Sequence, residues 1–209
     1  MSMITQGKNM QFFVQNRIWC TRVIASVILI LVLFTGHSWR EYTFWDMLIQ
    51  WLGYLFIVIT TLGRIWCFVY ISGYKDDRLI QYGPYSLVRN PLYVFSFIGT
   101  IGLGFATENF LAFVLMIILF CIFYPSVVDD EEKLLKTLYG KAFDDYIKKT
   151  PRWFPDFKNY NDVEEYPIKP RIFIKAMLES MWFMWFYMIL QIIENLHHMG
   201  IIPILVTIP

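Results

Sequence analysis

The sequence predicts an all-α protein: a multi-pass membrane bundle of about five transmembrane helices with a helical cap on the cytoplasmic side. Of its 209 residues, 57% are hydrophobic and 19% aromatic, well above the apolar share of soluble domains. Five apolar runs approach the roughly 20 residues that cross a bilayer. They are Ile18–Phe34, Phe44–Ile71, Pro91–Ala106, Phe110–Tyr124 and Ile172–Leu196. The third and fourth are short and predict a helical hairpin with its turn in Gly102–Asn109.

The 18 Lys and Arg residues predict the orientation, because cytoplasmic loops carry most basic residues. With a cytoplasmic N-terminus and five crossings, Arg40 lies outside and Arg64 lies within the second crossing. The remaining basic residues then flank cytoplasmic segments. We expect an uncleaved first crossing, a multi-pass protein of a bacterial inner membrane rather than the endoplasmic reticulum, and a tail, 199–209, along the surface. The net charge of +1 and the absence of a basic stripe argue against nucleic acid as a partner.

The longest polar region, residues 126–171, follows the fourth crossing. Pro125 is expected to end that crossing, and Ser126 with Asp129 resembles a capping box that starts a separate helix to Tyr139. On a helical wheel Glu131 lies in the middle of an apolar stripe, with Glu132 at its flank. A second short helix, 143–149, precedes the sequence PRWFP, which could cover a site as a lid.

The loop Tyr82–Tyr93, YGPYSLVRNPLY, separates two apolar crossings. Asn90 followed by Pro91 is typical of a helix start, with Asn90 as the N-cap. The positive end of that helix and the charge of Arg89 predict an anion site. The alternative is a connecting loop with interfacial tyrosines.

Arg64 is an ionisable residue within a crossing, and such residues are functional candidates by default. It shares a helical face with small and polar residues, which indicates the bundle interior. At the far end of the last crossing, Glu194, His197 and His198 are expected to be interfacial, with a metal site as the alternative. Without a second cluster we predict no metal. Three cysteines without paired spacing read as small apolar residues.

Taken together, these motifs resemble the membrane-embedded superfamily of isoprenylcysteine carboxyl methyltransferases and phospholipid N-methyltransferases. The resemblance covers residues 62–155 of a single membrane domain, 1–209, and leaves 156–209 as an extension. Its motifs occur in the family's order: Arg64, GPYSLVRNPLY, Glu131-Glu132, Gly140, Tyr146 and PRWFP. The isoprenylcysteine enzymes carry His where this sequence has Asn90, and an asparagine cannot titrate.

The resemblance implies transfer of a methyl group from S-adenosylmethionine to a lipid-like or prenylated acceptor that enters from the bilayer. It assigns catalytic roles to Arg89, Glu131 and Arg64. Cofactor binding is assigned to Tyr82, Tyr85, Arg89, Asn90, Pro91, Tyr93, Glu131, Glu132, Tyr146 and Arg152. Without a nearby histidine base, a carboxylate acceptor is favoured slightly over an amine. The alternatives are an NADPH-dependent reductase of the sterol-reductase kind, for which Arg78 and Arg89 would bind phosphate, and a non-catalytic lipid-binding membrane protein.

Overall fold

The computed structural model describes residues 26, 29–37, 43–75 and 77–208. Its helices are α1 (Phe44–Ile71), α2 (Pro84–Leu87), α3 (Pro91–Ala106), α4 (Phe110–Tyr139), α5 (Lys141–Lys149), α6 (Pro170–Ser180) and α7 (Trp182–His198). The described part of the chain contains three helical stretches long and apolar enough to span a membrane, namely α1, α4 and α6 with α7; α3 is a shorter apolar helix. The predicted helical membrane bundle is therefore confirmed. The predicted first crossing lies largely outside the described residues, although 29–34 are helical.

Helices α1 and α3 pack closely through glycines. A Cβ on Gly102 would lie 3.0 Å from the backbone oxygen of Gly53, and one on Gly99 would lie 2.5 Å from the ring of Phe183 in α7. Apolar burial does not drive helix association in lipid, so membrane helices associate largely through close van der Waals packing. Small residues at the interface let the two backbones approach closely enough for this packing. The contact fixes the rotation of α1 against α3 and so determines which side chains face each other.

Helix α4 runs without interruption from Phe110 through Pro125 to Tyr139. The predicted helix end at Pro125 and the capping box at Ser126 are therefore wrong. The Ser126 hydroxyl donates instead to the Phe123 carbonyl at 2.9 Å. A proline inside a membrane helix is tolerated because hydroxyl groups and local adjustments satisfy the backbone groups that it frees. As a result, the packing of the whole helix sets the rotation of its polar last turns.

The last predicted crossing is divided at Met181 into α6 and α7. Met181 keeps helical dihedral angles, its N–H donates to Leu178, and its carbonyl accepts from Trp185. The interruption is a bend between two nearly continuous helices, so α6 and α7 together still have the length of one crossing.

One end of the bundle, called here the loop end, carries residues 72–75, 77–90 and 140–169. Residues 156–169, which we call the strap, lie across the loop before α3. Gly83 N–H donates to the Asn161 carbonyl at 2.8 Å, and Asp156 N–H donates to the Leu87 carbonyl at 3.0 Å. The PRWFP segment continues this contact, because Arg89 N–H donates to the Pro151 carbonyl at 2.9 Å.

The opposite end holds the α3–α4 turn and the end of α7. Thr35–His37 pairs there in parallel with Val206–Ile208, a small addition to an otherwise helical fold. Two cavities of about 210 and 480 Å³ open at this end, and both are lined by Glu108, Glu194 and His198. No group of three His, Cys, Asp or Glu residues suited to a metal ion occurs among the described residues.

Candidate active site

The site begins at the start of α3, where the predicted helix boundary is confirmed. Asn90 precedes the first helical residue, Pro91, and its carbonyl accepts from the N–H groups of Tyr93 and Val94. Its side chain, however, makes no capping hydrogen bond. Instead the Asn90 amide donates to Glu132 Oε1 at 2.9 Å, across the hairpin. The predicted cap position is therefore correct, but its side chain binds the second half of the site.

Glu132 is the centre of an ion cluster. Its Oε1 lies 3.3 Å from Arg89 Nε and 3.3 Å from Arg152 Nε, in addition to the amide of Asn90. The Glu132 side chain is 16% exposed and that of Arg89 is 11% exposed. Arg89, Asn90, Glu132 and Arg152 are called the Glu132 cluster below. Each of these charges is buried next to a charge of opposite sign. The large free-energy cost of burying an isolated charge is therefore avoided.

Two donors of this cluster lack hydrogen-bond partners. The Nε atoms of Arg89 and Arg152 are buried, and within the described chain neither one makes a hydrogen bond, although both lie near Glu132. Buried donors without a partner are rare in folded proteins and call for an explanation. Two guanidinium groups with unused N–H groups beside one carboxylate fit a ligand that carries both an anionic and a cationic group.

Glu131 and Arg152 have further partners at the edge of the cluster. Glu131 Oε1 lies 3.2 Å from Lys75 Nζ, and the Lys75 side chain is 62% exposed. Arg152 also pairs with Asp129 through its terminal nitrogen. The apolar stripe predicted around Glu131 consists of Val127, Val128, Leu134, Leu135 and Leu138. It does not form one buried face, since Val128 is fully buried but Leu134 and Leu138 are exposed. The inward face of α4 runs through Val128 and Glu132, because the helix is continuous with the membrane crossing.

Four tyrosines surround the loop in different ways. Tyr85 is buried, and its backbone carbonyl accepts the hydroxyl of Tyr146 at 2.6 Å. Burial raises the pKa of both hydroxyl groups, so both remain protonated donors. Tyr93 packs its ring against Tyr124 on α4 at 5.6 Å. Tyr82 is 38% exposed at the surface. Pro91 is fully buried at the helix start.

Arg64 lies deeper, on the α1 face that contacts α3. Its Nη1 donates to Ser96 Oγ at 2.6 Å. Its guanidinium lies 5.5 Å from the ring centre of Phe68 and 5.6 Å from that of Phe183. The predicted position of Arg64 in the bundle interior is thus observed. Arg64 contacts α3 at Ser96 and does not contact the Glu132 cluster.

The structure brings together Arg89, Asn90, Glu132 and Arg152 and keeps Arg64 in a second layer. It does not join Arg78 to Arg89 as the reductase alternative requires, because the Arg78 guanidinium stacks 4.0 Å from the Tyr74 ring centre and Arg89 contacts Glu132. Sequence reasoning missed Asp162 in the strap, which accepts hydrogen bonds from Tyr70 at 2.7 Å and Tyr160 at 2.8 Å. No local pattern marks such a residue; only its contact with α1 does.

Comparison with known proteins identifies the family. Residues 47–142, which contain Arg64, the loop and both glutamates, match the phospholipid methyltransferase family. The protein-S-isoprenylcysteine O-methyltransferase of Schizosaccharomyces pombe is 32% identical over 81 residues, 39% of this chain and 34% of the relative. The chain belongs to the membrane-embedded superfamily of isoprenylcysteine and phospholipid methyltransferases. The family match and the isoprenylcysteine relative support methyltransferase activity on lipid-like substrates.

Two relatives align over nearly the whole chain, including the strap and α7. The nickel-cobalt-cadmium resistance protein NccN of Alcaligenes xylosoxydans xylosoxydans is 35% identical, over 95% of this chain and 92% of the relative. The cobalt-zinc-cadmium resistance protein CzcN of Cupriavidus metallidurans is 32% identical, over 94% of this chain and 90% of the relative. The extension beyond residue 155 is therefore shared with these relatives, while the match to the isoprenylcysteine enzyme covers a smaller part of the chain.

Proposed function

We propose that the protein transfers a methyl group from S-adenosylmethionine to a carboxylate on a lipid-like acceptor. The observation that carries this proposal is the Glu132 cluster at the start of α3, in which the Nε atoms of Arg89 and Arg152 form ion pairs with Glu132 but make no hydrogen bond within the described chain. S-adenosylmethionine has a carboxylate, an ammonium group and ribose hydroxyls. Arg89 and Arg152 would hold the carboxylate, and Glu132 would hold the ammonium group or the ribose.

When bound, S-adenosylmethionine supplies a sulfonium methyl group whose C–S bond breaks, leaving its electron pair on sulfur, as an acceptor oxygen forms the new O–CH₃ bond. The protein's own contribution is position and exclusion of water. Pro91, Tyr85 and Tyr146 are buried around the loop and keep it rigid and dry. A carboxylate acceptor needs no base, which agrees with an asparagine at position 90.

Binding of S-adenosylhomocysteine to the detergent-purified protein, followed by calorimetry, tests the proposal. We expect binding of S-adenosylhomocysteine and none of NADPH. Arg89→Ala and Glu132→Gln should each weaken binding at least about tenfold, since each removes a charged hydrogen-bond partner. Asp130→Asn, the same type of charge change at an exposed position of α4, is the matched control and should leave the affinity unchanged. Binding of NADPH instead would favour the reductase, and binding of neither would favour a non-catalytic lipid-binding protein.

Glu131 differs from Glu132 because it pairs with the exposed Lys75 at the edge of the cluster. We propose a secondary role for it beside Glu132. Glu131→Gln should therefore weaken S-adenosylhomocysteine binding less than Glu132→Gln does. A larger loss at Glu131 would reverse the assignment of the two glutamates.

We also propose that the loop end faces the cytoplasm of a bacterial inner membrane, because basic residues concentrate there. Single cysteines placed at Lys158 in the strap and at Asn195 near the end of α7 can be labelled in intact cells with a membrane-impermeant maleimide. Cys121 and the other native cysteines are replaced first. We expect labelling at position 195 and not at 158; the reverse pattern would invert the topology.

The two full-length relatives favour a second, physiological proposal: the methyltransferase contributes to resistance to divalent metals such as nickel, cobalt and cadmium. The test is growth of a deletion strain at graded metal concentrations, complemented with the wild type or with Glu132→Gln. Rescue by the wild type alone supports a role of methyl transfer in resistance. Equal rescue by the wild type and by Glu132→Gln would mean that metal resistance does not depend on Glu132.

A further inference from the structure

We infer that Phe157 and Tyr160 anchor the strap in the interfacial region of the membrane, so that the lipid bilayer itself holds the strap over the loop before α3. This anchoring does not depend on the chemistry proposed above, because it involves only the outer side of the strap. The inner side is already occupied by the loop. Asn161 N–H donates to Ser86 Oγ at 3.0 Å, and the Asn161 carbonyl accepts from Gly83 N–H at 2.8 Å.

The outer side of the strap is aromatic. Phe157 is 76% exposed and Tyr160 is 51% exposed. Phe157–Asn159 forms one turn of 3₁₀ helix, and Tyr160 N–H donates to the Phe157 carbonyl. Side chains three residues apart in such a turn are eclipsed, so Phe157 and Tyr160 share one face. An exposed apolar face of this kind is typical of a surface that meets a membrane or another protein.

Tyr160 contacts the lipid-facing side of α1. Its ring centre lies 6.5 Å from that of Trp66. Trp66 continues a stripe of exposed apolar side chains on α1, namely Leu55, Ile59 and Leu62. These positions follow one another by three or four residues and therefore lie on one face of the helix. Since α1 has the length and hydropathy of a membrane crossing, this face meets lipid, and Tyr160 extends it from the strap.

The depth of Trp66 matches the boundary between hydrocarbon and headgroups. Helix α1 contains 28 residues and ends at Ile71. At about 1.5 Å per residue it is about 42 Å long, roughly 12 Å more than the hydrocarbon core. Divided between its two ends, this excess puts the boundary about 6 Å before Ile71, and Trp66 lies about 7.5 Å before it. Trp and Tyr are enriched at this depth, because their rings are apolar and their N–H and O–H groups reach water.

The chain after the strap enters the membrane directly, which keeps the strap at the surface. The strap ends at Lys169, and α6 begins at Pro170 with Ile172 exposed on its outside. The hydroxyl of Tyr160 is also satisfied within the strap, since it donates to Asp162 Oδ2 at 2.8 Å. The ring of Tyr160 can therefore enter the apolar edge of the interface while its hydroxyl keeps a partner. A bilayer interface accounts for the aromatic face, the depth of Trp66 and the path of the chain together.

The first test measures the depth of the strap. Phe157→Cys, Leu62→Cys and Lys133→Cys are labelled with a nitroxide in nanodiscs of phosphatidylcholine and phosphatidylglycerol, after the native cysteines have been replaced. Oxygen concentrates in lipid and a nickel chelate in water, and the lipid-facing Leu62 and the exposed Lys133 are the references. We expect the ratio of oxygen to nickel accessibility at position 157 to be several-fold above that at position 133. Equal ratios at these two positions overturn the inference and leave the aromatic face for a soluble protein partner.

The second test measures what the anchor holds in place. Phe157→Glu should raise hydrogen exchange in nanodiscs several-fold, both in residues 156–169 and at Gly83, whose N–H is bonded to the strap. Phe157→Trp keeps an interfacial side chain and should retain slow exchange. Lys158→Glu is the matched control, because it makes a larger charge change at the neighbouring position, about a third of a turn away from the aromatic face.

We expect exchange in Lys158→Glu to stay near that of the wild type. Equal exchange in Phe157→Glu and Lys158→Glu overturns the inference, since the Phe157 side chain would then hold nothing. Because Phe157 is exposed, its substitution leaves the packing of the bundle intact. Neither test uses S-adenosylhomocysteine, so a negative result in either one leaves the proposed methyl transfer standing.

Discussion

The side-chain amide of Asn90 donates to Glu132 Oε1 at 2.9 Å and thereby joins the start of α3 to the polar end of α4. The two residues are 42 positions apart in the chain. Asparagine suits this position because its NH₂ donates to a carboxylate without adding charge beside Arg89. The contact closes one side of the proposed cofactor site.

Asn90→Asp replaces this donor by a carboxylate facing Glu132. Like charges at this distance repel, so we expect S-adenosylhomocysteine affinity to fall about tenfold or more by calorimetry. The same repulsion should lower the melting temperature of Asn90→Asp. The double variant Asn90→Asp with Glu132→Gln removes the repulsion and should recover part of that loss. Asn109→Asp is the matched control, because Asn109 caps α4 at the opposite end through its side-chain oxygen. An unchanged affinity in Asn90→Asp would contradict the proposed site.

Gly102→Ala tests the contact between α1 and α3. The added methyl group would lie 3.0 Å from the Gly53 backbone oxygen and 3.0 Å from Phe56 Cβ, and neither can move easily. Overpacking of this kind costs about 1–3 kcal/mol of folding free energy. We expect a lower melting temperature in detergent. Ile118→Ala, at an exposed position of α4, should have a smaller effect, and the opposite order would argue against close α1–α3 packing.

Asp162→Asn tests the strap. Asp162 accepts hydrogen bonds from the hydroxyls of Tyr70 and Tyr160 and from Val163 N–H. Although burial opposes the change, these hydrogen bonds keep the pKa of Asp162 below its ordinary value. Loss of the charge should release the strap and raise hydrogen exchange in residues 156–169 several-fold, while exchange in α4 stays constant. Asp145→Asn, at an exposed site in α5, is the control.

Glu108 predicts a pH dependence at the opposite end. Burial, together with the neighbouring Glu194 carboxylate, raises the pKa of Glu108 from 4.5 to about 8. Since the folded state holds this proton more tightly than the unfolded state, the contribution of Glu108 to stability is fully present below about pH 4.5 and is lost as pH rises to about 8. Melting temperatures measured across this range should decrease with pH. Glu108→Gln should flatten the profile, whereas Glu165→Gln, at an exposed site, should not.

Some of the site was predictable because its signals are local. Asn90-Pro91 marks a helix start within two residues, and the start at Pro91 is observed. Hydropathy over about 20 residues locates a crossing, and α1 has the predicted bounds of Phe44 and Ile71. Sequence reasoning favours Glu131 over Glu132 because it assumes a helix break at Pro125. Because α4 continues through that proline, its membrane-spanning part sets the rotation of the last turns, and Glu132 faces inward instead of Glu131.

The sequence by itself determined the membrane bundle, the helix start at Pro91 and the ordered motifs that indicate a methyltransferase, since each depends on neighbouring residues. Only the tertiary structure decided that Glu132 meets Arg89, Asn90 and Arg152, and that Asp162 holds the strap to Tyr70. The physical reason is that such pairings depend on the rotation of each packed helix. That rotation is set by contacts such as Gly53 with Gly102, between residues distant in the chain.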